Sequence, residues 1–326
     1  MAESARFISP LERALYLKRV EPLESLGPRE LALLARYAKE RFYPRGETVL
    51  RTGDVVRGIL IVVNGRLRVS SGHGDPVTYG PSDSLGFLHA MARVPSVLDV
   101  VAEEDTLTLE IEGDALEDLF EDNFGLMYNQ MQVLMRLALA ERKQIADGTY
   151  LSTVSRGVTH EKDMGLIDRV LYLKESGVFR RANLDALVTM ARRLKEIHFA
   201  PGETLWRTGD PSGFTYVIVA GTVEATLPDG RRFRAGEGYP LGNLESQCGE
   251  TRWYDVRAEN PVTVFRGDTG VFMDILEDHF GMALDFFADL SRNYLGMLTR
   301  RRQGGDEIPP SGAYTAATDS AEDPSS

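Results

Sequence analysis

The sequence predicts a mainly β protein with flanking helices, an α+β chain in which one domain occurs twice in tandem. Three observations predict this fold class. Sequence segments recur at one constant offset, which indicates a duplication. Stretches dense in glycine and β-branched residues indicate many short strands joined by turns. Apolar residues at helical spacing precede and follow each of these stretches.

The duplication is visible in the tetrapeptide Arg-Thr-Gly-Asp, which occurs at residues 51–54 and again at 207–210. The same offset of 156 residues relates Leu-Tyr-Leu-Lys at 15–18 to its second occurrence at 171–174. Chance matches would not share one offset. A repeat of this length is a complete globular domain rather than a solenoid unit that needs stacked neighbours.

Each copy is predicted to begin with an amphipathic helix. In copy 1, Pro28 follows Gly27 at a first helical position, and Glu30 lies in the first turn. In copy 2, Asn183 is the predicted N-cap. The apolar residues that follow at helical spacing are Leu31, Leu34, Ala35 and Ala38 in copy 1, and Leu184, Leu187, Val188, Ala191 and Leu194 in copy 2.

Short strands are predicted to follow, most clearly in the apolar runs at 59–63 and 216–219. Gly53-Asp54 and Asp229-Gly230 predict tight turns, because glycine tolerates a positive φ. Many short strands separated by regular turns predict a sandwich or a closed roll.

A long helix is predicted to close each copy, with Asp114 and Asp268 as candidate N-caps. Met127, Met131 and Met135 share one face of the first closing helix. Such flexible apolar side chains pack in a core or between domains, or they line a groove for a partner protein.

These patterns predict four segments along the chain. Domain 1 spans 1–147, a linker spans 148–165, domain 2 spans 166–303, and an acidic tail spans 304–326. The tail is rich in Pro, Ser, Ala and Thr and contains no Lys or Arg, so it is predicted to be disordered.

Composition excludes several classes of protein. A net charge of −12 disfavours DNA and RNA, whose phosphates are neutralised by Lys and Arg. The longest apolar run is far too short to span a bilayer, and no secretory signal is evident. Cys248 is the only cysteine, which rules out an intramolecular disulfide and predicts a cytoplasmic location.

The spacing of glycines and strands resembles the cyclic-nucleotide-binding domain family, in which Gly-Glu is followed by Gly-Asp and then by a strand that ends in glycine. Those glycines are residues 46, 53 and 65 in copy 1, and 202, 209 and 221 in copy 2. The resemblance covers roughly 11–147 and 166–303 and includes catabolite-activator and kinase-regulatory-subunit types. It implies two tandem double-stranded β-helix (jelly-roll-like) domains with helices at their ends.

In that family a phosphate-binding cassette supplies a glycine, a glutamate for the ribose hydroxyl, and an arginine for the cyclic phosphate. Copy 1 keeps Gly86 but has Phe87 in the place of the glutamate and Ser96 in the place of the arginine. Because both charged groups are missing, copy 1 is not expected to bind a cyclic nucleotide in the usual way.

Copy 2 keeps Gly242 and has Arg252 in register for the phosphate. Asn243, followed by Leu244, takes the place of the glutamate. Its amide could accept a hydrogen bond from a sugar hydroxyl, more weakly than a carboxylate does. Glu245 lies two residues beyond that place and would need a shifted cassette to serve. Arg252 is therefore either a phosphate ligand or a solvated strand-end arginine without a ligand role. Cys248 lies in the same cassette, and a surface position without a redox role is expected for it.

No enzyme signature, metal-ligand spacing or helix-turn-helix segment is found, so neither catalysis, a metal nor DNA binding is expected. The first hypothesis is a non-enzymatic regulatory protein in which domain 2 binds a ligand similar to cyclic AMP or cyclic GMP. Its output would pass through a protein partner or self-association. The alternative is a ligand-free scaffold that uses the duplicated fold for assembly.

Overall fold

The computed structural model describes residues 8–20, 23, 26–71, 76–145, 150–151, 164–175, 179 and 182–303. Most of the predicted linker and the whole predicted tail lie outside these residues. The elements of copy 1, in chain order, are α1 (Pro10–Leu17), α2 (Pro28–Tyr37), β1 (Lys39–Tyr43), β2 (Thr48–Leu50), β3 (Gly58–Asn64), β4 (Leu67–Ser70), β5 (Val77–Tyr79), β6 (Ser84–Leu85), α3 (Phe87–Ala92), β7 (Asp99–Ala102), β8 (Thr106–Glu112), α4 (Gly113–Asp122) and α5 (Phe124–Ile145).

Copy 2 repeats this order after one additional short strand. Its elements are β9 (Tyr150–Leu151), α6 (Leu166–Glu175), α7 (Leu184–Arg193), β10 (Lys195–Phe199), β11 (Thr204–Trp206), β12 (Phe214–Ala220), β13 (Val223–Thr226), β14 (Arg232–Ala235), β15 (Pro240–Leu241), α8 (Asn243–Cys248), β16 (Asp255–Ala258), β17 (Val262–Asp268), α9 (Thr269–Asp278) and α10 (Phe280–Gln303). The additional strand β9 lies inside the segment predicted as a linker.

The described strands form the same pair of sheets in each copy. In copy 1 the sheet orders are β1-β8-β3-β6 and β2-β7-β4-β5, and all neighbours are antiparallel. In copy 2 the orders are β10-β17-β12-β15 and β11-β16-β13-β14, and β9 pairs in parallel with the edge strand β14. The predicted mainly β fold with flanking helices is thus confirmed, and the duplicated sequence adopts one topology twice.

The interiors of the two rolls differ in composition. In each roll, residues from both sheets pack into one apolar cluster, so the two sheets face each other. The cluster of copy 1 is mostly aliphatic, with Tyr43 enclosed among its Leu and Val side chains. The cluster of copy 2 is rich in buried aromatic side chains, namely Trp206, Tyr216, Phe233 and Tyr254. This difference decides how much space each interior leaves.

The helix starts agree with most of the sequence predictions. Pro28 is the first residue of α2, and the Asn183 side chain accepts a hydrogen bond from the Ala186 N–H at 2.8 Å. The Asp268 carboxylate caps α9. The prediction for Asp114 is wrong, because α4 already begins at Gly113.

Two predicted faces can be compared with the observed burial. Leu184 is 65% exposed, because α7 is buried only from Ala186 onward, so its assignment to the buried face is wrong. Met127, Met131 and Met135 are all buried. This agrees with the prediction that they pack inside the protein and disfavours an exposed groove for a partner protein.

The chain divides into two compact units, Met1–Gln130 and Met131–Ser326. The division falls inside α5, whose C-terminal part is therefore grouped with copy 2. The domain limits at 147 and 166 stay predictions. Among the described residues, none of the helices has both the length and the apolar character needed to cross a membrane.

Candidate functional site

The repeated Arg-Thr-Gly-Asp tetrapeptide forms a turn that holds the end of each cassette. In copy 2 the Arg207 N–H donates to the Asp210 carboxylate at 2.8 Å. The Gly209 N–H donates to the Arg252 carbonyl at 2.8 Å, and the Arg252 N–H donates to the Asp210 carbonyl at 2.9 Å. Copy 1 makes the same bonds with Ser96 in the place of Arg252. The motif therefore positions the backbone of the residue at which the copies differ.

The backbone at Gly242 makes room for the side chain of Arg252. Gly242 is the N-cap of α8 and has a left-handed φ of +75°. A Cβ atom at this position would lie 1.9 Å from Arg252 Nη1. Only glycine allows the guanidinium group to lie this close to the start of the helix.

The Arg252 guanidinium is enclosed by partners from its own domain. Nη1 donates to the Gly242 carbonyl at 3.0 Å, to Ser246 Oγ at 3.2 Å and to Glu245 Oε1 at 3.3 Å. Nη2 donates to the Phe214 carbonyl at 2.6 Å. The residue is only 1% exposed. Its charge is thus neutralised inside the protein.

Aromatic rings cover the same guanidinium. Its central carbon lies 4.1 Å from the centroid of the Trp206 ring and 4.5 Å from that of Phe214. Trp206 stacks on Tyr216 with centroids 5.5 Å apart. A cation over an aromatic face in a desolvated site is stabilised by the ring quadrupole. These three rings fill the interior of roll 2 beside the cassette.

Glu245 is the acidic partner that the sequence reasoning did not place. The helical turn of α8 directs its carboxylate inward to Arg252 without any shift of the cassette, and the residue is buried. Burial raises the pKa of the Glu245 carboxyl above its usual range, and the nearby Arg252 opposes that rise. A buried carboxylate of this kind depends on its cation to stay ionised.

The cassette of copy 1 has no charged side chain at its two ligand positions, and its Arg93 is paired with Glu117 at 3.1 Å. Gly86 precedes α3 with φ +95°, and Phe87 begins that helix. The Ser96 hydroxyl is buried and bonds locally, donating to the Leu98 carbonyl at 2.9 Å and accepting from the Leu98 N–H at 3.0 Å. His89 is buried, and desolvation lowers the pKa of its imidazole. Neither Ser96 nor a neutral His89 can balance a phosphate.

An open space nevertheless lies beside the cassette of copy 1. Its volume is about 210 Å³. Its wall includes Leu50, Gly58, Leu60 and Gly86. Three cations lie along it. Lys39 Nζ lies 2.6 Å from Glu112 Oε1 and Arg41 Nη1 lies 3.7 Å from Glu110 Oε2, so acids match these two, and Arg57 also forms part of the wall. At the offset of 156, Leu50, Gly58 and Leu60 correspond to Trp206, Phe214 and Tyr216, the aromatic residues grouped beside Arg252 in copy 2.

The family model of the cyclic nucleotide-binding domain matches residues 40–123 and 196–279, together just over half of the chain. The chain belongs to the cyclic nucleotide-binding domain family. The two matched segments contain both cassettes, so each roll is a complete member of the family. No curated protein matches the chain.

Several solved structures match the chain at low similarity. The regulatory domain of Toxoplasma gondii protein kinase A with cAMP is 16% identical, with TM-score 0.32, covering 91% of this chain and 97% of that one. The regulatory subunit of a cAMP-independent protein kinase A from Trypanosoma cruzi bound to guanosine is 16% identical, with TM-score 0.33, covering 98% and 94%. The sensor domain of the transcriptional regulator DNR from Pseudomonas aeruginosa is 20% identical, with TM-score 0.36, covering 44% and 95%. Likenesses this distant say nothing about the ligand of this chain.

Within the second cyclic nucleotide-binding domain, the predicted site residues divide into two groups. Gly242 and Arg252 are in contact, whereas Asn243 lies on the opposite side of α8 and lines a separate cavity. Leu244 is half-buried. From the sequence, Glu245 is a candidate only if the cassette shifts. Neither its contact with Arg252 nor the aromatic residues around Arg252 were predicted. Comparing the copies position by position would have revealed the aromatic residues, because a leucine or glycine in copy 1 becomes an aromatic residue in copy 2.

Cys248, at the end of the second cassette helix, is expected to react slowly. Burial raises the pKa of its thiol to about 11, and the nearby Glu250 adds to the rise. Since the thiolate is the nucleophile, alkylation by iodoacetamide at pH 8 should be roughly a hundredfold slower than for an ordinary thiol. The rate should keep increasing above pH 9. Equal labelling rates in the native and urea-unfolded chains would contradict this expectation.

Proposed function

We propose that this chain is a cytoplasmic, non-enzymatic regulatory protein whose second domain holds no cyclic nucleotide in its roll. Its output passes through contacts with a protein partner or a second copy, since the net charge of −12 disfavours nucleic acid. The observation that carries the proposal is the burial of Arg252 among partners from its own domain. An arginine in that state acts as a structural cation.

Two costs oppose nucleotide binding at Arg252. A cyclic phosphate would have to displace Glu245, which would leave a buried carboxylate without its cation, and breaking such a pair costs about 3–5 kcal/mol. The ligand would also need the space now filled by the rings of Trp206, Phe214 and Tyr216. Both costs arise in copy 2. In copy 1 the places of the glutamate and the arginine are taken by Phe87 and Ser96, which carry no charge. The geometry therefore favours a domain pair that works without a cyclic nucleotide.

A second candidate is a cyclic-nucleotide sensor that uses domain 2. The observation in its favour is that Gly242 and Arg252 keep the register of the family cassette. In this alternative the phosphate replaces Glu245 on Arg252, and Asn243 accepts a sugar hydroxyl after α8 has turned. The raised pKa of Glu245 favours its release as a neutral acid.

Titration calorimetry of the full chain with cyclic AMP and cyclic GMP separates the two candidates. The proposal predicts no binding heat at ligand concentrations up to the millimolar range. A matched variant, Trp206→Leu with Phe214→Gly, introduces the residues that copy 1 carries at the same positions and retains Arg252. Cyclic-nucleotide binding that appears only in this variant would support the proposal that the aromatic rings block the site in the unmodified chain. Micromolar binding by the unmodified chain that is lost in Arg252→Lys would establish the second candidate instead.

A further inference from the structure

Domain 2 contains an apolar cavity outside its roll. Its volume is about 110 Å³. It is bounded by α6, α7, the outer face of β12, the cassette helix α8 and the helix α9, which leads directly into the closing helix α10. Carbon atoms dominate its wall, through side chains such as Val217, Phe272 and Ile275.

The cavity is separate from the space around Arg252, because α8 and β12 lie between them. Glu245 and Ser246 direct their polar groups to Arg252, whereas Asn243 and Gln247, one helical turn apart, line the cavity. Alternate residues of a strand point to opposite faces, so Val217 borders the cavity while its neighbour in β12 packs inside the roll.

Two polar atoms in this wall lack hydrogen-bond partners within the described part of the chain. They are Gln247 Oε1 and Thr269 Oγ1. Gln247 is only 6% exposed, so bulk water does not satisfy its amide oxygen. Buried polar atoms are paired in the large majority of cases, and two unpaired atoms around one apolar space indicate a missing polar group.

We propose that this cavity binds a compact single-ring aromatic molecule that carries a hydroxyl group, of the size of a phenol. An apolar cavity of ~150 Å³ holds a benzene ring, so a volume of about 110 Å³ suits one ring and excludes a nucleotide. The hydroxyl of the ligand donates to Gln247 Oε1 and accepts from Thr269 Oγ1. Its ring lies against Val217, Phe272 and Ile275.

Such a ligand would join the cassette helix to the helix that carries α10. Gln247 belongs to α8 and Thr269 begins α9, so occupancy fixes the position of one helix relative to the other. The site would thus control the closing helix of domain 2 without using the interior of the roll. This site goes beyond the proposed function and is tested independently of it. The cyclic nucleotides would bind inside the roll, whereas the aromatic molecule would bind in the cavity outside it.

Binding of phenol and toluene to the full chain, measured by ligand-observed NMR, tests the site. Phenol should bind at millimolar concentration, and toluene, which lacks the hydroxyl, about fivefold more weakly. The near-isosteric variants Gln247→Met and Thr269→Val should each weaken phenol binding by roughly fivefold and leave toluene binding unchanged or stronger. Amide hydrogen exchange in α8 and α9 should slow when phenol is bound.

A cavity-filling variant supplies the control. Ile275→Phe places additional ring atoms in the same space and should abolish the binding of both probes. If Ile275→Phe does not fold, the phenol affinities of Gln247→Met and Thr269→Val still test the proposal. Equal phenol affinity in the unmodified chain and both polar variants would overturn the proposal. So would the absence of any probe binding, which would mean that water alone fills the cavity.

Discussion

Replacing Arg252 by Met is expected to lower the free energy of unfolding of domain 2 by about 3–5 kcal/mol, because it leaves a buried charge without its partner. Methionine retains the apolar stem beside Trp206 but removes the guanidinium donors to Glu245 and to the carbonyls of Gly242 and Phe214. Urea denaturation monitored by tryptophan fluorescence measures the loss. An arginine that served only a ligand would leave the stability of the ligand-free chain nearly unchanged.

An exposed ion pair in the same domain provides the matched control. Arg232 Nη1 lies 3.5 Å from Glu224 Oε1, and the Arg232 side chain is 64% exposed. Arg232→Met should therefore cost no more than about 1 kcal/mol. The double variant Glu245→Met with Arg252→Met should recover part of the loss of the single variant, because neither charge remains buried. A loss below about 1 kcal/mol for Arg252→Met alone would contradict the structural role.

Substituting Gly242 by Ala is expected to destabilise domain 2 by about 4–7 kcal/mol, for two reasons that add. A left-handed backbone costs an L-residue roughly 1–2 kcal/mol. The new methyl group would also lie 1.9 Å from Arg252 Nη1, so the guanidinium must leave its buried partners. Thermal denaturation of the full chain measures the effect.

Gly249, at the other end of the same helix, separates the two contributions. It has a similar φ of +69°, and a Cβ atom added there would meet no atom within 4 Å. Gly249→Ala should therefore show the backbone cost alone, about 1–2 kcal/mol. Equal losses at the two glycines would mean that Arg252 does not occupy the space above Gly242.

Much of the fold could be predicted because local rules determine it. A constant offset revealed the duplication, and the turn at Gly53 follows from the tolerance of glycine for a positive φ. Asn183 was recognised because an N-cap depends on only a few neighbouring residues. The prediction for Leu184 is wrong because helical spacing does not show at which residue a helix begins to pack against the rest of its domain.

The candidate site was predicted less completely. The contrast between Ser96 and Arg252 is visible in the sequence, and the structure places both at equivalent turns. Register alone could not show which group Arg252 contacts, because Glu245 and Phe214 approach it from different elements. The cavity behind Gln247 was not predicted, since its wall is assembled from eight helices and strands of domain 2.

By itself, the sequence determined that this protein consists of two related rolls of the cyclic nucleotide-binding type and that only the second cassette carries the arginine. Only the tertiary structure decided what that arginine contacts. A ligand that binds an internally paired charge must displace its partner, which adds to the cost of binding. The partner depends on packing across strands and helices, and around Arg252 it is Glu245, beside the rings of Trp206 and Phe214.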